Sequence, residues 1–507
     1  MKKLLPVSIL ISHFSMFLVA QPTIQWQKNF GGTDSDEAKS IQQTSDGGFV
    51  VVGNTYSLDN DVASNHGLCD SWIVKMNGSG VPEWKKSFGG TGIDLSNAIQ
   101  QTVDGGYIFT GWSNSIDGDV TGNFGFEDVW VVKLDNIGNI QWQKSFGGTG
   151  NDQSYDIQQT TDGGYIIAGI SSSNDIDVSS NNGCFDYWIV KLNNTGIIQW
   201  QKSFGGSGCE YVSSIRQTTD GGYIVGGWTG SVDGDVTVNY GEYDYWIVKL
   251  DNSGIIQWQR SFGSLHDDQA YSIQQTSDNG YIIAGVSFLT ADDDEGNYWV
   301  LKLDSLGLLQ WEKPFGGTAN DGAYSVQETA DGCYIIAGGS NSNDGDVIMN
   351  IGSLDYWIVK INSLGNLIWE KSFGGTLDET PTSIQQTADG GFIIAGWSVS
   401  NDGDLTGSYG LGDYWILKLN NPTTGSEEFD NSILSVYPNP VKDILNIMVS
   451  KETIGNSYVI YDNQGRLALS GKINSENTTI ELSGLSAGLY LFSLGEKWNQ
   501  PFNVVKE

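Results

Sequence analysis

The residues best suited to chemistry are aspartates that recur in pairs, two residues apart, along the chain. Six of these pairs are followed nine residues later by another aspartate. Calcium takes six to eight oxygen ligands, and closely spaced carboxylates with nearby carbonyl groups supply oxygens of this kind. The candidate calcium ligands are Asp117, Asp119, Asp128, Asp233, Asp235, Asp244, Asp344, Asp346, Asp355, Asp402, Asp404 and Asp413.

A second role for these acids is the formation of turns. The segments lack a complete calcium-loop motif, and aspartate and asparagine side chains form turns by bonding to nearby backbone groups. We favour the turn interpretation. Calcium is the one cofactor that the sequence suggests, and the two interpretations stay open at this point.

Paired carboxylates are also the catalytic groups of glycosidases, which hold them about 5 to 9 Å apart. The acids of this chain recur in nearly equivalent positions, whereas a single active site breaks such a repeat. Residues that do break the repeat include His66, Arg216, His266, Asp267 and Asp268, and they form no nucleophile–base signature. We therefore predict a protein that is not an enzyme. The alternatives are a secreted glycan-active hydrolase that uses the recurring carboxylates and a purely structural surface component.

A repeat of about 58 residues positions these acids. The motif W-x-x-x-F-G recurs at a spacing of 58 residues, with one spacing of 53, and a second motif close to D-Y-W-I-V-K-L alternates with it. Repetition at such a period is typical of solenoids and propellers. The tryptophans of the first motif are Trp26, Trp84, Trp142, Trp200, Trp258, Trp311 and Trp369.

Each repeat contains four short apolar segments separated by turns. The Asp-Gly-Gly and Asn-x-x-Gly turns suit hairpins, because glycine accepts their positive φ angles. Apolar residues on both faces of the third segment predict strands that are covered on both sides. The repeats begin with an unpaired fourth strand at 23–30 and end, at residue 419, with a unit of three strands. The sequence therefore predicts an all-β fold: a seven-bladed β-propeller with four-stranded blades, whose N-terminal strand closes the last blade.

Strand order predicts which loops share a face of the propeller. The Asp-Gly-Gly and Asn-x-x-Gly turns lie on one face, which we call the turn rim. The long loops with the recurring acids lie on the other face, which we call the acidic rim. Aromatic residues of these loops are candidates for stacking on sugars, and their alternative role is to pin the loops to the blades. They include Phe124, Phe126, Tyr240, Tyr243 and Tyr409.

The four cysteines do not form a disulfide framework for a chain of this size. Cys184 and Cys209 fall on the acidic rim, where a disulfide between them is one interpretation and two free thiols the other. Cys69 and Cys333 fall on opposite rims, and we expect them to be unpaired.

The repeats resemble glycine- and tryptophan-rich propeller repeats of secreted bacterial proteins. The motifs that carry this resemblance are W-x-K-S-F-G-G, I-Q-Q-T-x-D-G-G-Y-I-I-A-G and D-Y-W-I-V-K-L, within residues 24–419. The resemblance implies a propeller and an exported protein, and it implies no particular ligand.

A second resemblance covers residues 432–507. The motifs Y-P-N-P, N-Q-G-R and L-S-A-G-L-Y occur there in the order found in the C-terminal (type A) sorting domain of the type IX secretion system of Bacteroidota. The family implies a small Ig-like β-sandwich that binds the secretion machinery, and a protein that is released or attached to the outer-membrane surface. The matching residues are Tyr437, Pro438, Asn439, Pro440, Gly465, Gly488 and Tyr490.

Charge and the chain ends limit the partners. A formal net charge of −35 repels phosphate backbones and makes nucleic acid an unsuitable ligand. Lys2 and Lys3 precede an apolar stretch, as in a signal peptide, and no later window is apolar enough to span a membrane. We predict a signal peptide at 1–20, a propeller at 21–420, a linker at 421–431 and a sorting domain at 432–507. We expect a monomer that binds an extracellular glycan or protein.

Overall fold

The computed structural model describes residues 21–288, 295–421, 433–437, 440–449, 454–462, 466–475, 477–494 and 502–506. The chain divides into two compact units, Met1–Pro422 and Thr423–Glu507. The predicted signal peptide, residues 422–431 of the predicted linker, and Pro438, Asn439 and Gly465 lie outside the described residues. Within the described residues, no helix has the length and apolar character needed to cross a membrane.

The described part of the first unit consists of seven four-stranded antiparallel sheets, the blades. Blade 1 contains β2 (Asp36–Gln43), β3 (Phe49–Thr55), β4 (Asp70–Met76) and β5 (Pro82–Phe88); blade 2, β6 (Asp94–Gln101), β7 (Tyr107–Ser113), β8 (Asp128–Leu134) and β9 (Ile140–Phe146); blade 3, β10 (Asp152–Gln159), β11 (Tyr165–Ser171), β12 (Asp186–Leu192) and β13 (Ile198–Phe204); blade 4, β14 (Glu210–Gln217), β15 (Tyr223–Thr229), β16 (Asp244–Leu250) and β17 (Ile256–Phe262). Blade 5 contains β18 (Asp268–Gln275), β19 (Tyr281–Ser287), β20 (Asn297–Leu303) and β21 (Leu309–Phe315); blade 6, β22 (Asp321–Glu328), β23 (Tyr334–Ser340), β24 (Asp355–Ile361) and β25 (Leu367–Phe373); blade 7, β26 (Glu379–Gln386), β27 (Phe392–Ser398), β28 (Asp413–Leu419) and β1 (Ile24–Phe30).

The two ends of the repeat meet in blade 7, where β1 pairs antiparallel with β28. Gln27 of β1 makes two hydrogen bonds to the C-terminal part of blade 7. Its Oε1 accepts the indole N–H of Trp415 at 2.8 Å, and its amide nitrogen donates to the carbonyl of Asp404. The predicted seven-bladed propeller, closed by its N-terminal strand, is therefore confirmed.

The core lies between consecutive blades. The second and third strands of blade 3, for example, are buried along their whole length, because each face packs against a neighbouring sheet. Tyr187 of blade 3 lies 4.7 Å from Trp246 of blade 4 between ring centres, and its hydroxyl donates to the Trp246 carbonyl at 3.1 Å. The same contact joins Tyr245 to Trp299, Tyr298 to Trp357, Tyr356 to Trp415 and Tyr414 to Trp72.

A lysine in the third strand of each blade, buried in every blade except blade 6, binds the aspartate that begins the first hairpin turn. In blade 1, Lys75 Nζ lies 3.0 Å from the Asp46 carboxylate. Burial alone would raise the pKa of Asp46, but hydrogen bonds from Thr44, Gly48 and Lys75 outweigh it and lower the pKa to about 2. A Cβ on Gly48 would meet the Met76 carbonyl oxygen at 2.3 Å in blade 1, although blade 6 carries Cys333 at the equivalent position. The equivalent pairs are Lys133–Asp104, Lys191–Asp162, Lys249–Asp220, Lys302–Asp278, Lys360–Asp331 and Lys418–Asp389.

The described part of the second unit contains two antiparallel sheets that share one apolar core. Side chains such as Leu445, Ile460 and Phe492 from both sheets are buried together, which makes the unit a small β-sandwich. Its strands are β29 (Ile433–Tyr437), β30 (Ile444–Val449), β31 (Ser457–Asp462), β32 (Leu467–Lys472), β33 (Asn477–Glu481), β34 (Gly488–Leu494) and β35 (Phe502–Lys506), in the orders β29-β30-β33 and β32-β31-β34-β35.

The closure of blade 7 is testable with a matched pair of glutamines. Gln259 makes the same two kinds of contact within blade 4, to Trp246 and Thr237, that Gln27 makes across the chain ends. We expect Gln27→Met and Gln259→Met each to lower the free energy of unfolding by about 1 to 3 kcal/mol, because each leaves an indole N–H unpaired. Only Gln27→Met should accelerate amide hydrogen exchange in β1. Equal protection of β1 in both variants would contradict the proposed closure contact.

Candidate functional site

The first strand of every blade lines a central cavity of about 220 Å³. This innermost strand is an edge strand of its sheet. The backbone N–H and C=O groups on its channel side therefore have no partner within the blade. Side chains of adjacent blades supply many of these partners. The cavity wall is therefore built from the groups that join one blade to the next.

Six glutamines of the I-Q-Q motif form a ring around this channel, which we call the inner amide ring. Gln42 Oε1 accepts the backbone N–H of Gln101 in the next blade at 2.6 Å. Because the oxygen faces a backbone donor, the amide NH2 group is turned toward the channel. Among the described residues, no hydrogen-bond acceptor is recorded for these NH2 groups. The ring consists of Gln42, Gln100, Gln158, Gln274, Gln327 and Gln385.

A second ring joins the blades in the opposite direction at the turn rim. The residue after each ring glutamine accepts a backbone N–H from the Asp-Gly-Gly turn of the preceding blade. Gln101, for example, accepts the Ser45 N–H at 2.8 Å, and Gln43 accepts the Ala388 N–H of blade 7 at 2.8 Å. Blade 6 uses Glu328 in this place, and its carboxylate accepts the Ser277 N–H at 2.7 Å.

An ion pair interrupts the inner ring between blades 3 and 4. Arg216 stands where the other blades have glutamine, and its Nη1 binds the carboxylate of Asp156. The Asp156 side chain is 11% exposed, whereas the Arg216 side chain is 37% exposed. Arg216 and Asp156 are the charged residues of the cavity lining. The sequence marked Arg216 as a break in the repeat without placing it in the channel.

Five half-buried aromatic residues of blades 3 to 6 lie in the first or second strands, on the acidic-rim side of the residues that line the cavity. We call Tyr155, Tyr211, Trp228, Tyr271 and Tyr324 the aromatic arc. The ring centres of Trp228 lie 5.6 Å from Tyr211 and 5.4 Å from Tyr271, and Tyr271 lies 5.3 Å from Tyr324. The arc belongs to blades 3 to 6, so this side of the propeller carries aromatic residues between the cavity lining and the acidic rim.

A β-bulge in the first strand places three residues of the arc. The register shifts between Ser154 and Asp156 in blade 3, and equivalent shifts flank Tyr271 and Tyr324. A bulge adds one residue and re-aims its side chain. Blades 7, 1 and 2 have Thr382, Lys39 and Asn97 at this position, and the Thr382 hydroxyl donates to the Ala38 carbonyl at 3.0 Å.

The aromatic residues predicted from the long loops lie on the same face. Phe124, Phe126, Tyr240 and Tyr409 are exposed, and Tyr243 packs against Tyr211 at 6.0 Å between ring centres. Sequence analysis missed the aromatic arc itself. The sequence did contain a signal for it. Three of the seven repeats have a tyrosine three residues before the glutamine of I-Q or V-Q.

The loop acids predicted as calcium ligands have protein hydrogen-bond donors. Asp117 Oδ1 accepts the Thr91 N–H at 2.7 Å, and Asp119 Oδ2 accepts the Gly89 N–H at 3.3 Å. These contacts tie each long loop to the link that enters the same blade. Asp233, Asp344 and Asp402 repeat the first contact, and Asp235, Asp346 and Asp404 repeat the second. In the part of the chain that the structure describes, no group of three or more His, Cys, Asp and Glu residues is arranged to hold a metal ion.

The acids that begin the third strands face the acids that begin the next blade. Asp128 and Asp152 are both fully buried, and a Cβ on Gly147 would lie 2.4 Å from Asp128 Oδ1 and 2.6 Å from Asp152 Oδ2. Asp128 Oδ2 accepts the Phe124 N–H at 2.6 Å, whereas Oδ1 has no partner among the described residues. Burial, with the charges of Asp152 and Asp177, raises the pKa of Asp128 to about 7.

The same arrangement recurs around the ring. Burial is the main cause in each case, and a neighbouring carboxylate adds to it. The pKa is raised to about 7 for Asp355 and to about 6 for Asp36, Asp186 and Asp244, and it is also raised for Asp413. Blade 5 has Asn297 at the third-strand position, opposite Asp321. One of the seven junctions therefore replaces a carboxyl group by a neutral amide.

The structure joins Cys184 and Cys209 by a disulfide, with the Cα atoms 5.1 Å apart. Cys184 belongs to the long loop of blade 3, and Cys209 precedes the first strand of blade 4, so the bond links two blades. Cys69 and Cys333 are free. Burial raises the pKa of the Cys69 thiol to about 12.

Four of the predicted sorting residues lie within described parts of the second unit. Tyr437 ends β29, Pro440 is exposed, and Gly488 begins β34. Tyr490 is buried, and its hydroxyl donates to the Ser486 carbonyl at 2.9 Å.

Family comparison identifies the second unit. Residues 435–502 match the model for the secretion system C-terminal sorting domain. This segment is a sorting domain. The protein is exported by type IX secretion to the cell surface or the extracellular space.

Other comparisons concern parts of the chain or its fold. A stretch of 120 residues is 27% identical to beta-agarase A of Zobellia galactanivorans and covers 22% of each chain, so the chain spans about a fifth of that relative. BamB from Moraxella catarrhalis aligns with a TM-score of 0.38 at 12% identity, over 78% of this chain and 100% of that one. The Pan2 WD40 domain of Neurospora crassa aligns with a TM-score of 0.41 at 11% identity, over 77% and 95%. PorZ of Porphyromonas gingivalis aligns with a TM-score of 0.24 at 10% identity, over 93% and 81%.

The buried carboxyl groups predict a pH-dependent stability. A carboxyl group whose pKa is higher in the folded chain stabilises the fold fully below its unfolded value, near 3.8, and this stabilisation is lost as the pH rises through the folded value. We therefore expect the free energy of unfolding, measured with urea in the presence of a chelator, to fall between about pH 4 and about pH 7. The Asp46-type carboxyl groups have lowered pKa values and change only at lower pH.

Asp128→Asn tests one of these groups, because it copies the amide that blade 5 carries. We expect it to raise the free energy of unfolding at pH 8 by about 1 kcal/mol, the equivalent of one pKa unit, and to change it little at pH 4. The exposed Asp34→Asn is the control. A loss of stability at pH 8 in Asp128→Asn would contradict a destabilising carboxylate.

The calcium hypothesis stays a prediction. If the recurring acids bind calcium, the melting temperature is higher in millimolar calcium than in chelator, because a ligand of the folded state stabilises it. Identical melting temperatures would remove the hypothesis.

Proposed function

We propose that this protein is an exported, non-enzymatic binding propeller whose ligand is an extracellular glycan held at the mouth of the channel. The aromatic arc is the observation that carries the proposal. Its rings are half-buried and held by one another, so they offer rigid apolar faces. Such faces suit the C–H side of a sugar ring.

Polar groups next to the arc complete a site of this kind. Ligand sites combine apolar walls with a few directed polar groups, and the inner amide ring supplies donors toward sugar oxygens. The tyrosine hydroxyls at the arc are oriented as well: Tyr155 donates to Gln153 at 2.6 Å and Tyr271 to Gln269 at 2.7 Å. Partial similarity to a beta-agarase agrees with a glycan-related role.

Of the two acids that follow His266 on the acidic rim, Asp268 has a structural environment. Asp268 begins the first strand of blade 5 as six other acids begin theirs. It is fully buried, and its Oδ2 accepts the Ser264 N–H at 2.6 Å. We therefore assign it the same structural role as its counterparts. Asp267 has its pKa raised by burial and by the nearby Glu242 carboxylate, and His266 also lies close to it. The hydrolase alternative therefore rests on this group of residues.

A matched pair of tryptophans tests the arc. Trp228 and Trp397 occupy the same place in the second strands of blades 4 and 7, opposite Tyr211 and Thr380. We expect Trp228→Leu to weaken glycan binding at least about 10-fold, a loss of roughly 1.4 kcal/mol, and Trp397→Leu to leave it within about 2-fold. The measurement is calorimetry on the secreted full chain, with an oligosaccharide selected on a glycan array.

Two results would contradict the proposal. Equal affinities of both variants would place the ligand elsewhere. Release of shorter oligosaccharides during the binding experiment, abolished by Asp267→Asn, would establish the hydrolase alternative instead.

A further inference from the structure

We propose that Arg216 and the inner amide ring bind an anionic substituent of the glycan, a carboxylate or a sulfate ester, so that the preferred ligand is an acidic saccharide. This inference rests on the proposed function, because it places the sugar at the aromatic arc and its charged group in the channel below.

The side chains of the inner amide ring present hydrogen-bond donors to the channel. Each of the six ring glutamines uses its oxygen for a backbone N–H of the next blade, at 2.6 to 2.7 Å. Only the NH2 groups are left to face the channel, and an amide nitrogen in this orientation donates and does not accept. A ring of donors favours a ligand group that is rich in acceptors, as a carboxylate or a sulfate ester is.

Arg216 adds a positive charge to the channel wall, and this charge favours an anionic ligand over a neutral one. Its Nη1 is used by Asp156 and by the Ile215 carbonyl, the latter at 2.6 Å. Among the described residues, no acceptor is recorded for Nε or Nη2. The guanidinium is planar and always charged, and its remaining donors match the two oxygens of an anion.

Asp156 does not compete for these donors, because its own oxygens are occupied. Oδ1 accepts the Ile157 N–H at 2.9 Å. Oδ2 accepts the Ile215 N–H at 2.9 Å and the Ser214 hydroxyl at 3.2 Å, besides the contact with Arg216. The aspartate is nine-tenths buried, whereas more than a third of the Arg216 side chain is exposed. The pair therefore presents its positive end to the channel.

The position of the pair connects it to the proposed sugar site. Asp156 directly follows Tyr155 of the arc in the first strand of blade 3. Arg216 lies further along the first strand of blade 4, which also carries Tyr211. A saccharide stacked on Tyr155 thus lies beside Asp156, whose carboxylate binds the guanidinium. The channel has this cation on the side of blades 3 and 4 only, which would orient the ligand.

The repeat itself supplies the test variants. Arg216→Gln restores the residue that six other blades carry, and it offers an acceptor to the Gln275 N–H as its counterparts do. Asp156→Ser restores the serine of blades 1, 5, 6 and 7. In those blades this serine bonds to a backbone N–H of the next blade, as Ser40 does to Ile99 and Ser325 to Ile384. The double variant therefore has a regular channel and is expected to fold.

The experiment compares three oligosaccharides of equal length on the secreted full chain: a neutral galactan fragment, its sulfated form and a uronic acid oligomer. We expect the wild type to prefer one or both acidic probes. In Arg216→Gln and in the double variant, the ratio of acidic to neutral affinity should fall about 10- to 100-fold, the range for hydrogen bonds to a charged group. Asp156→Ser should keep or increase the ratio, because it leaves the guanidinium uncompensated. The sulfated and uronic acid arms separate the two kinds of anion.

The outcomes separate this inference from the proposed function. An unchanged ratio in Arg216→Gln, with the Trp228→Leu effect retained, would overturn the anionic site and leave glycan binding in place. An equal affinity of the wild type for neutral and acidic probes would do the same. The absence of binding to all three probes and to the glycan array would overturn both.

Discussion

The inner edge of each blade is the constraint on which the centre of this molecule depends. A sheet that ends at a channel leaves a row of backbone N–H groups without a partner in its own blade, and such groups are costly to leave unpaired. The chain solves this with side-chain amides: Gln42 and its counterparts bond forward to the next blade, and Gln43 and its counterparts bond back to the preceding one. Because these oxygens are used for the fold, the nitrogens are left for a ligand. The donor character of the channel is thus a consequence of ring closure.

Because the blades repeat, equivalent positions can be compared between blades of the same chain. Positions that are identical in all blades, such as the third-strand lysine and its turn aspartate, maintain the fold. Departures from the repeat are of two kinds. Some are compensated locally: blade 1 has Ser71 in place of the tyrosine that bonds to a tryptophan carbonyl, and the Thr110 hydroxyl reaches Trp130 instead, at 3.3 Å. Others add a new property, and the Arg216–Asp156 pair and the aromatic arc are the examples that lie together in one place.

The acidic residues show how a strong sequence signal can have several physical causes. Their recurrence located the acidic rim, and the face on which the long loops and the inter-blade links meet was predicted from strand order alone. The hydrogen bonds of the loop acids to the links, such as Asp117 to Thr91, could not be predicted, since they depend on two loops that are 26 residues apart. The burial of Asp128 against Asp152 was equally hidden, because the two acids belong to adjacent blades and meet only when the blades stack.

The sequence by itself determined the number of blades, their four-stranded pattern, the closure by the N-terminal strand and the export signal at the C-terminus. All of these are encoded in local motifs or in their spacing, which a linear chain displays directly. Only the tertiary structure decided which residues face the channel. Tyr155, Trp228 and Arg216 belong to different strands, and their positions follow from a β-bulge and the radial arrangement of the blades. None of these is a property of the residues in sequence, because each arises when seven edges are brought around one axis.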